Sequence, residues 1–232
     1  EVIKIDMPGT GPYGRLYNGL ANVFTHILKN YECDMVLRLD VDSLIIGKYP
    51  EKDAILYFKE NPTIGLLGSY RKGCDGKIRN FVPVENILKR ETGNIAALIR
   101  PSIKKTLDRL LRNAVKNGYE LGEHCLGAAC FISYPCLEAI QREGYLSLEH
   151  INKSKLSDDH ILGLVVKAAG YNMADFATNG YPLCLRWHGL SYPPNVLVTK
   201  GKKIIHSTKS DKKFREMEIR EYFRNLREYK NG

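Results

Sequence analysis

Residues 35 to 42 read Met-Val-Leu-Arg-Leu-Asp-Val-Asp, an apolar run that stops abruptly in two carboxylates one residue apart. β-Prone residues closing on charge predict a buried strand that ends at the rim of its sheet. That limits the chain to folds able to bury such a strand. In an open α/β sheet, ligands collect at this rim, outside the carboxyl ends of the strands. Residues i and i+2 of extended backbone share a face, so Asp40 and Asp42 aim at one point. Two hard oxygen donors suit a divalent cation with phosphate as co-ligand. The bland alternative is that Asp40-Val41-Asp42 opens a solvated turn, and the rest of the chain has to decide.

Upstream, Val2-Ile3-Lys4-Ile5 has the pattern of a short strand, and 8–14 is a loop rich in Gly and Pro. Pro12 follows the second glycine of that loop, so it is not a dinucleotide-binding turn. Apolar positions 16, 20, 23, 24, 27 and 28 predict a helix to about Asn30. Strand, loop, helix, strand is a βαβ unit, which predicts a mixed, mainly parallel sheet under Asp40, flanked by helices. Downstream, 44–46 reads as buried, 51–60 as a short helix, 64–67 as a strand and 69–94 as loop-rich. Pro101 opens the clearest helix, stopped by Gly118; 128–132 is a strand, and 135–144 and 159–169 are helices.

At 232 residues, with 44% hydrophobic and 26% charged, the chain can bury one large core. No run reaches the roughly 18 apolar residues of a membrane span. The formal net charge of +9 is uneven: from Lys200 to Lys230 eleven Lys/Arg stand against five acids. The remainder is near neutral, which gives nucleic-acid binding little support. The expected organisation is an α/β domain over 1–199 and a basic helical tail over 200–232. In that tail Phe214, Met217, Ile219, Tyr222, Phe223 and Leu226 share a helical face opposite Lys212, Arg215, Arg220, Arg224 and Arg227. Such a helix either packs its aromatic face on the domain or a neighbouring subunit, or lies peripherally on an anionic membrane. The six cysteines form no C-x-x-C pair and no zinc spacing. They read as reduced and structural, which suits a cytoplasmic location.

Three further clusters could carry chemistry. Cys125-Leu126-Gly127-Ala128-Ala129 leads into a strand with residues small enough for a ligand to approach backbone, or for tight packing alone. Ser157-Asp158-Asp159-His160 starts a helix, where Ser and Asp are ordinary caps, yet capping needs only one of the carboxylates. Arg186-Trp187-His188-Gly189 sets His188 beside the only Trp as a candidate metal ligand.

In order, the chain shows Arg-x-Asp-x-Asp after an apolar strand, a small-residue strand with Phe131-Ile132-Ser133, Asp-Asp-His-Ile-Leu-Gly, and Trp-His-Gly. Over about residues 1 to 190 this resembles the GT-A fold glycosyltransferases. The pattern is nearest the inverting β-1,3-galactosyl/N-acetylglucosaminyl and Fringe-like group. Arg38, Asp40, Asp42, Cys125, Gly127, Ser133, Asp159 and Gly163 match that pattern, while Asp158 stands for its Glu and Ala129 for one of its Gly. The family carries a further βαβ segment that binds the nucleotide base; with about forty residues ahead of Asp42, that segment is expected to be truncated.

The resemblance implies Mn²⁺ or Mg²⁺ between the protein and a nucleotide sugar, a UDP-sugar first. It implies that Asp42 ligates the cation, that Asp40 holds ribose or a water on the cation, and that His188 completes the shell. Arg38, Gly127 and Ala128 would contact the donor. Asp159, with Asp158 beside it, would take a proton from the hydroxyl of a glycan or lipid-linked acceptor, with inversion. A helix N-terminus favours the ionised carboxylate and weakens it as a base, so burial or the neighbouring charge has to restore its basicity. The rivals are a haloacid-dehalogenase-like phosphatase, with Asp40 as nucleophile, and a sugar- or membrane-binding module without a working donor site.

Overall fold

The computed structural model describes residues 12–209 and 213–231. The strand expected at 2–5 and most of the glycine loop lie outside the described residues. Helix α1 (Gly14–Asn30) buries Tyr17, Ala21 and Phe24, one face at i, i+4 and i+7. It delivers the chain to β1 (Met35–Leu39), whose partner is β4 (Ala129–Ser133), antiparallel, with Leu39 opposite Ala129. On its other side β4 pairs antiparallel with β3 (Ile64–Gly68), and β3 pairs parallel with β5 (Asn172–Asp175). The sheet order is β1-β4-β3-β5. A second sheet of order β2-β7-β6 joins β2 (Leu44–Ile45), β6 (Leu183–Leu185) and β7 (Ile204–His206).

The molecule is therefore mixed α/β, but its sheets are not mainly parallel: three of the five described strand pairings are antiparallel. The physical reason is β4, which enters the sheet at the rim where β1 leaves it. That antiparallel entry brings Ala128 beside Asp40, whose N–H donates to the Ala128 carbonyl at 2.9 Å. Side chains of β4 alternate between two cores, as strand geometry requires. Cys130 and Ile132 join Tyr17, Phe24, Leu107, Leu110 and Val165 beneath α1, α5 (Pro101–Lys116) and α7 (Asp158–Ala168). Ala129 and Phe131 join Phe58, Phe176, Leu183, Leu197 and Ile204 between the two sheets, closed by α2 (Pro50–Glu60) and α8 (Pro194–Thr199).

Several expectations are corrected. The loop-rich stretch 69–94 holds an unforeseen helix: α3 (Val82–Thr92) buries Val84 and Leu88, and α4 (Asn94–Ile99) follows at once. Residues 44–46 are not buried, because β2 pairs only with β7, at the edge of its sheet, and Ile45 is exposed. Cys74 and Cys184 are not reduced; they form a disulfide with Cα atoms 5.1 Å apart, while Cys33, Cys125, Cys130 and Cys136 are free. Because disulfides persist in oxidising compartments, the cytoplasmic expectation loses the support it drew from cysteine usage.

The stretch from residue 200 is not a separate tail either, since β7 is the middle strand of the second sheet. Beyond it, α9 (Glu216–Asn231) sinks Ile219 and Phe223 into the core between the sheets, with Phe214 and Leu226 packed against them. Most of its apolar face therefore packs on the domain, while Met217 and Tyr222 stay exposed. No helix among the described residues is long and apolar enough to cross a membrane.

Candidate functional site

At the end of β1 the Asp40 carbonyl accepts from Ser43 N–H at 2.9 Å, and Ser43 Oγ donates to the Ala128 carbonyl at 2.7 Å. This turn presents Asp42 to the loop that follows β7. Its carboxylate accepts from Ser207 Oγ at 2.7 Å, and its carbonyl accepts from Thr208 N–H and Oγ1, each at 3.0 Å. Burial works against ionised Asp42, but the Ser207 hydrogen bond and the nearby His206 and Lys209 outweigh it and hold the carboxyl below the usual range. Burial dominates at Asp40 and keeps it above that range, against the pull of Arg38 and His206.

His206 is the residue that sequence reasoning missed. Its Nδ1 lies 2.7 Å from the Arg186 carbonyl, which can only accept, so Nδ1 carries the proton. Nε2 then faces Asp42 Oδ1 at 3.3 Å, a lone pair against a carboxylate. That approach is favourable only with a second proton on the ring or a cation between them. Orienting an imidazole through its far nitrogen is how proteins prepare histidine as a metal ligand. Asp40, Asp42 and His206 each offer a ligand atom, all within 4.8 Å of one another. Two carboxylates and one imidazole form a donor set that could hold a divalent cation. The signal was present in the sequence: Ile204-Ile205-His206 is an apolar run ending in a donor, the same pattern that singled out Asp40.

His188, expected to complete the shell, stands exposed on the rim of the same pocket beside Trp187, outside this cluster. A second grouping of His124, Asp159 and His160 is close enough to hold an ion. There, however, His124 Nδ1 donates to Gly122 O and Nε2 accepts from Arg79, both at 2.8 Å. His160 Nδ1 accepts from Ser157 N–H at 3.2 Å. With both ring nitrogens of His124 engaged, and its pKa pushed down to about 4 by burial and then Arg79, the grouping is a hydrogen-bond network and no ligand set.

Arg38 ties the strand to the start of α7. Its Nη2 lies 2.9 Å from Asp40 Oδ1 and 2.6 Å from Asp158 Oδ2, and its Nη1 is buried with no hydrogen-bond partner among the described residues. Gly127 packs against it: a Cβ there would sit 2.8 Å from Nη1 and 2.9 Å from Asp159 Cβ. The Gly127 N–H donates to Asp159 Oδ2 at 3.1 Å. At Gly127 the small-residue segment is therefore tightly packed, with its N–H held by Asp159.

The adjacent carboxylates differ. Asp159 also accepts from Ser157 Oγ and from His160 N–H. Burial would raise its pKa, but His160, His124, the Ser157 hydrogen bond and Arg38 together bring it below the usual range. Burial raises Asp158, with Asp159 and Asp40 adding to it, against the opposing Arg38.

All the sequence-predicted site residues line one cavity of about 380 Å³: Arg38, Asp40, Asp42, Gly127, Ala128, Asp158, Asp159 and His188. His206, Lys209 and Trp187 line it too, with Leu16, Leu126, Ser157 and Ser207. Roomier cavities of about 500 Å³ and 640 Å³ lie elsewhere, one beside Phe58 and Tyr134 and one beside Arg71 and Phe81, and neither gathers a comparable donor set. Comparison with family models, with curated proteins and with solved structures finds no match.

Proposed function

We propose that the chain is a divalent-cation-dependent glycosyltransferase of the GT-A type, moving a sugar from a nucleotide-diphosphate donor to an acceptor hydroxyl with inversion. The observation that carries this reading is the convergence of Asp40, Asp42 and His206 with Arg38, Asp158 and Lys209 on one cavity. Asp40, Asp42 and His206 would hold Mn²⁺ or Mg²⁺. When bound, such a cation offsets the charge that grows on a departing diphosphate. The Arg38 guanidinium, which lines the cavity, and the Lys209 ammonium would favour the anionic groups of the donor, a UDP-sugar first. Gly127 and Ala128 let it approach the backbone. Trp187, 70% exposed at the rim, offers an aromatic face to a sugar ring.

Asp158, in place of Asp159, is the better proton acceptor. It is buried, raised above the usual range and held on one oxygen by Arg38, whereas both Asp159 oxygens are already bonded. As the acceptor oxygen forms its bond to the anomeric carbon, its proton passes to Asp158 and the bond to the diphosphate breaks. General-base help of this kind is worth about 10²–10⁴-fold. The disulfide supports placing the reaction in an oxidising compartment.

The test is hydrolysis of UDP-sugars, the slow leak of a transferase without acceptor, measured with Mn²⁺ and with chelator. Mn²⁺-dependent release of UDP, abolished by Asp42→Asn in a protein that melts normally, supports the reading. Release of inorganic phosphate from simple sugar phosphates would point to the phosphatase chemistry instead. No turnover and no thermal stabilisation by any nucleotide sugar would overturn the transferase.

A further inference from the structure

We propose that α4 and α5 form a docking surface for an anionic lipid bilayer. Helix α4 is anchored by buried Ala96, yet it exposes Ile95, Leu98 and Ile99 at 71%, 86% and 72%. Three large aliphatic side chains standing off one short helix are an unpartnered apolar wedge, the kind of surface that marks an interaction site. What surrounds them identifies the partner. Residues 82 to 117 carry eight Lys/Arg against three acids. All three acids are engaged: Glu85 with Lys89 at 2.6 Å, Asp108 with Lys104 at 2.5 Å, and Glu91 with Ser154 Oγ and Lys155 N–H.

Arg90, Lys105, Arg109, Arg112 and Lys116 have no carboxylate partner among the described residues, and all are exposed. The last four, spaced by four, three and four residues, run along one face of α5, starting six residues after Ile99. An apolar wedge on α4, followed in the chain by a stripe of cations on α5 without carboxylate partners among the described residues, matches acyl chains under anionic headgroups. A second copy of the chain would bring the same cations against one another.

The segment just before this surface is tied to the chain that leads into the candidate site. Buried Glu91, in the last turn of α3, fixes Ser154 and Lys155, and Ser154 is four residues before Asp158, at most about 14 Å of extended chain. Resting on the transferase reading, this placement fits an acceptor hydroxyl presented at a lipid surface. The docking itself does not depend on that reading.

The experiment is sedimentation of the full chain with vesicles of phosphatidylcholine alone or mixed with phosphatidylglycerol, at low and at high salt. Compared with it are Leu98→Ser/Ile99→Ser, Lys105→Glu/Arg109→Glu, and a control in α9, Arg224→Glu/Arg227→Glu. These positions are on the surface, and circular dichroism melting checks each fold. Expected is salt-sensitive binding to the anionic vesicles only, weakened about tenfold or more by either of the first two variants and unchanged by the third. The proposal is overturned if the parent chain fails to bind at low salt. It is also overturned if the α9 variant alone loses binding, or if the α4 variant turns a dimer into a monomer without changing lipid binding. Vesicle binding and UDP release are separate readouts, so either can fail without the other.

Discussion

His206 and His188 separate two accounts of the same pocket. If the imidazole locked by the Arg186 carbonyl is the ligand, His206→Ala should raise the Mn²⁺ concentration for half-maximal UDP release by about tenfold or more, since even outer-sphere losses cost that much. His188→Ala, exposed on the rim, should change it little. The reverse order would return the ligand role to His188. The neighbouring aspartates make a second pair. Asp158→Asn should cut turnover by several powers of ten and leave donor binding nearly unchanged, because a proton acceptor matters chiefly in the transition state. Asp159→Asn should act mainly on stability, by breaking its bonds to Ser157, His160 and Gly127.

The pH dependence of the two carboxyls has opposite sign. Asp159, depressed in the fold, contributes stability present above its unfolded pKa and lost as pH falls through its folded value. Asp158, raised in the fold, contributes stability present below its unfolded pKa and lost as pH rises through its folded value. Catalysis should therefore switch on across a limb above the ordinary Asp value of about 4. A rate profile flat through that window would remove Asp158 as the base.

At the scale of elements, the site depends on β7 lying parallel to β6 at the right height. One residue ahead of Lys203, Lys202 is 3% exposed and its Nζ donates to the carbonyls of Ala177, Thr178 and Tyr181 at 3.0, 2.8 and 2.8 Å. Lys203 N–H and Ile204 N–H both donate to the Pro182 carbonyl. Lys202→Met should leave one buried and two half-buried carbonyls short of a donor and cost about 2–3 kcal/mol in urea unfolding. It should weaken Mn²⁺ binding in parallel, because His206 is four residues on. Stability lost without any change in Mn²⁺ response would mean that β7 does not set the position of His206.

This element also shows why the sequence was only partly legible. Strands β1, β3 and β4 and helices α1, α2, α5 and α7 announce themselves by periodicity and by Pro and Gly stops. Strand β7 is three residues long inside a basic stretch, so charge hid it. Partner direction was not legible either: nothing local to 35–39 tells that its neighbour arrives from 129–133 running the other way. The carboxylates were found because they end a strand; the imidazole that meets them was missed because its strand was too short to see.

For the whole molecule, the least legible feature was the bond between Cys74 and Cys184, 110 residues apart, since spacing alone assigns no pairing. Cys74 follows β3 of the first sheet and Cys184 lies in β6 of the second, so the bond ties together the two layers around the core they share. Constraining a loop of this length restricts the unfolded chain, and loss of such a bond typically costs about 2–5 kcal/mol. For a chain of this size that corresponds to a melting shift of roughly 4–20 °C. Cys74→Ser/Cys184→Ser should show this loss in chemical unfolding, and reductant should lower the parent chain toward the variant while leaving the variant unmoved. Alkylation before reduction should find four reactive thiols in the unfolded parent chain, those of Cys33, Cys125, Cys130 and Cys136. If six thiols react and reductant changes nothing, the two cysteines are only close neighbours. The case for an oxidising compartment would then fall, while the pocket, built from Asp40, Asp42 and His206, would stand.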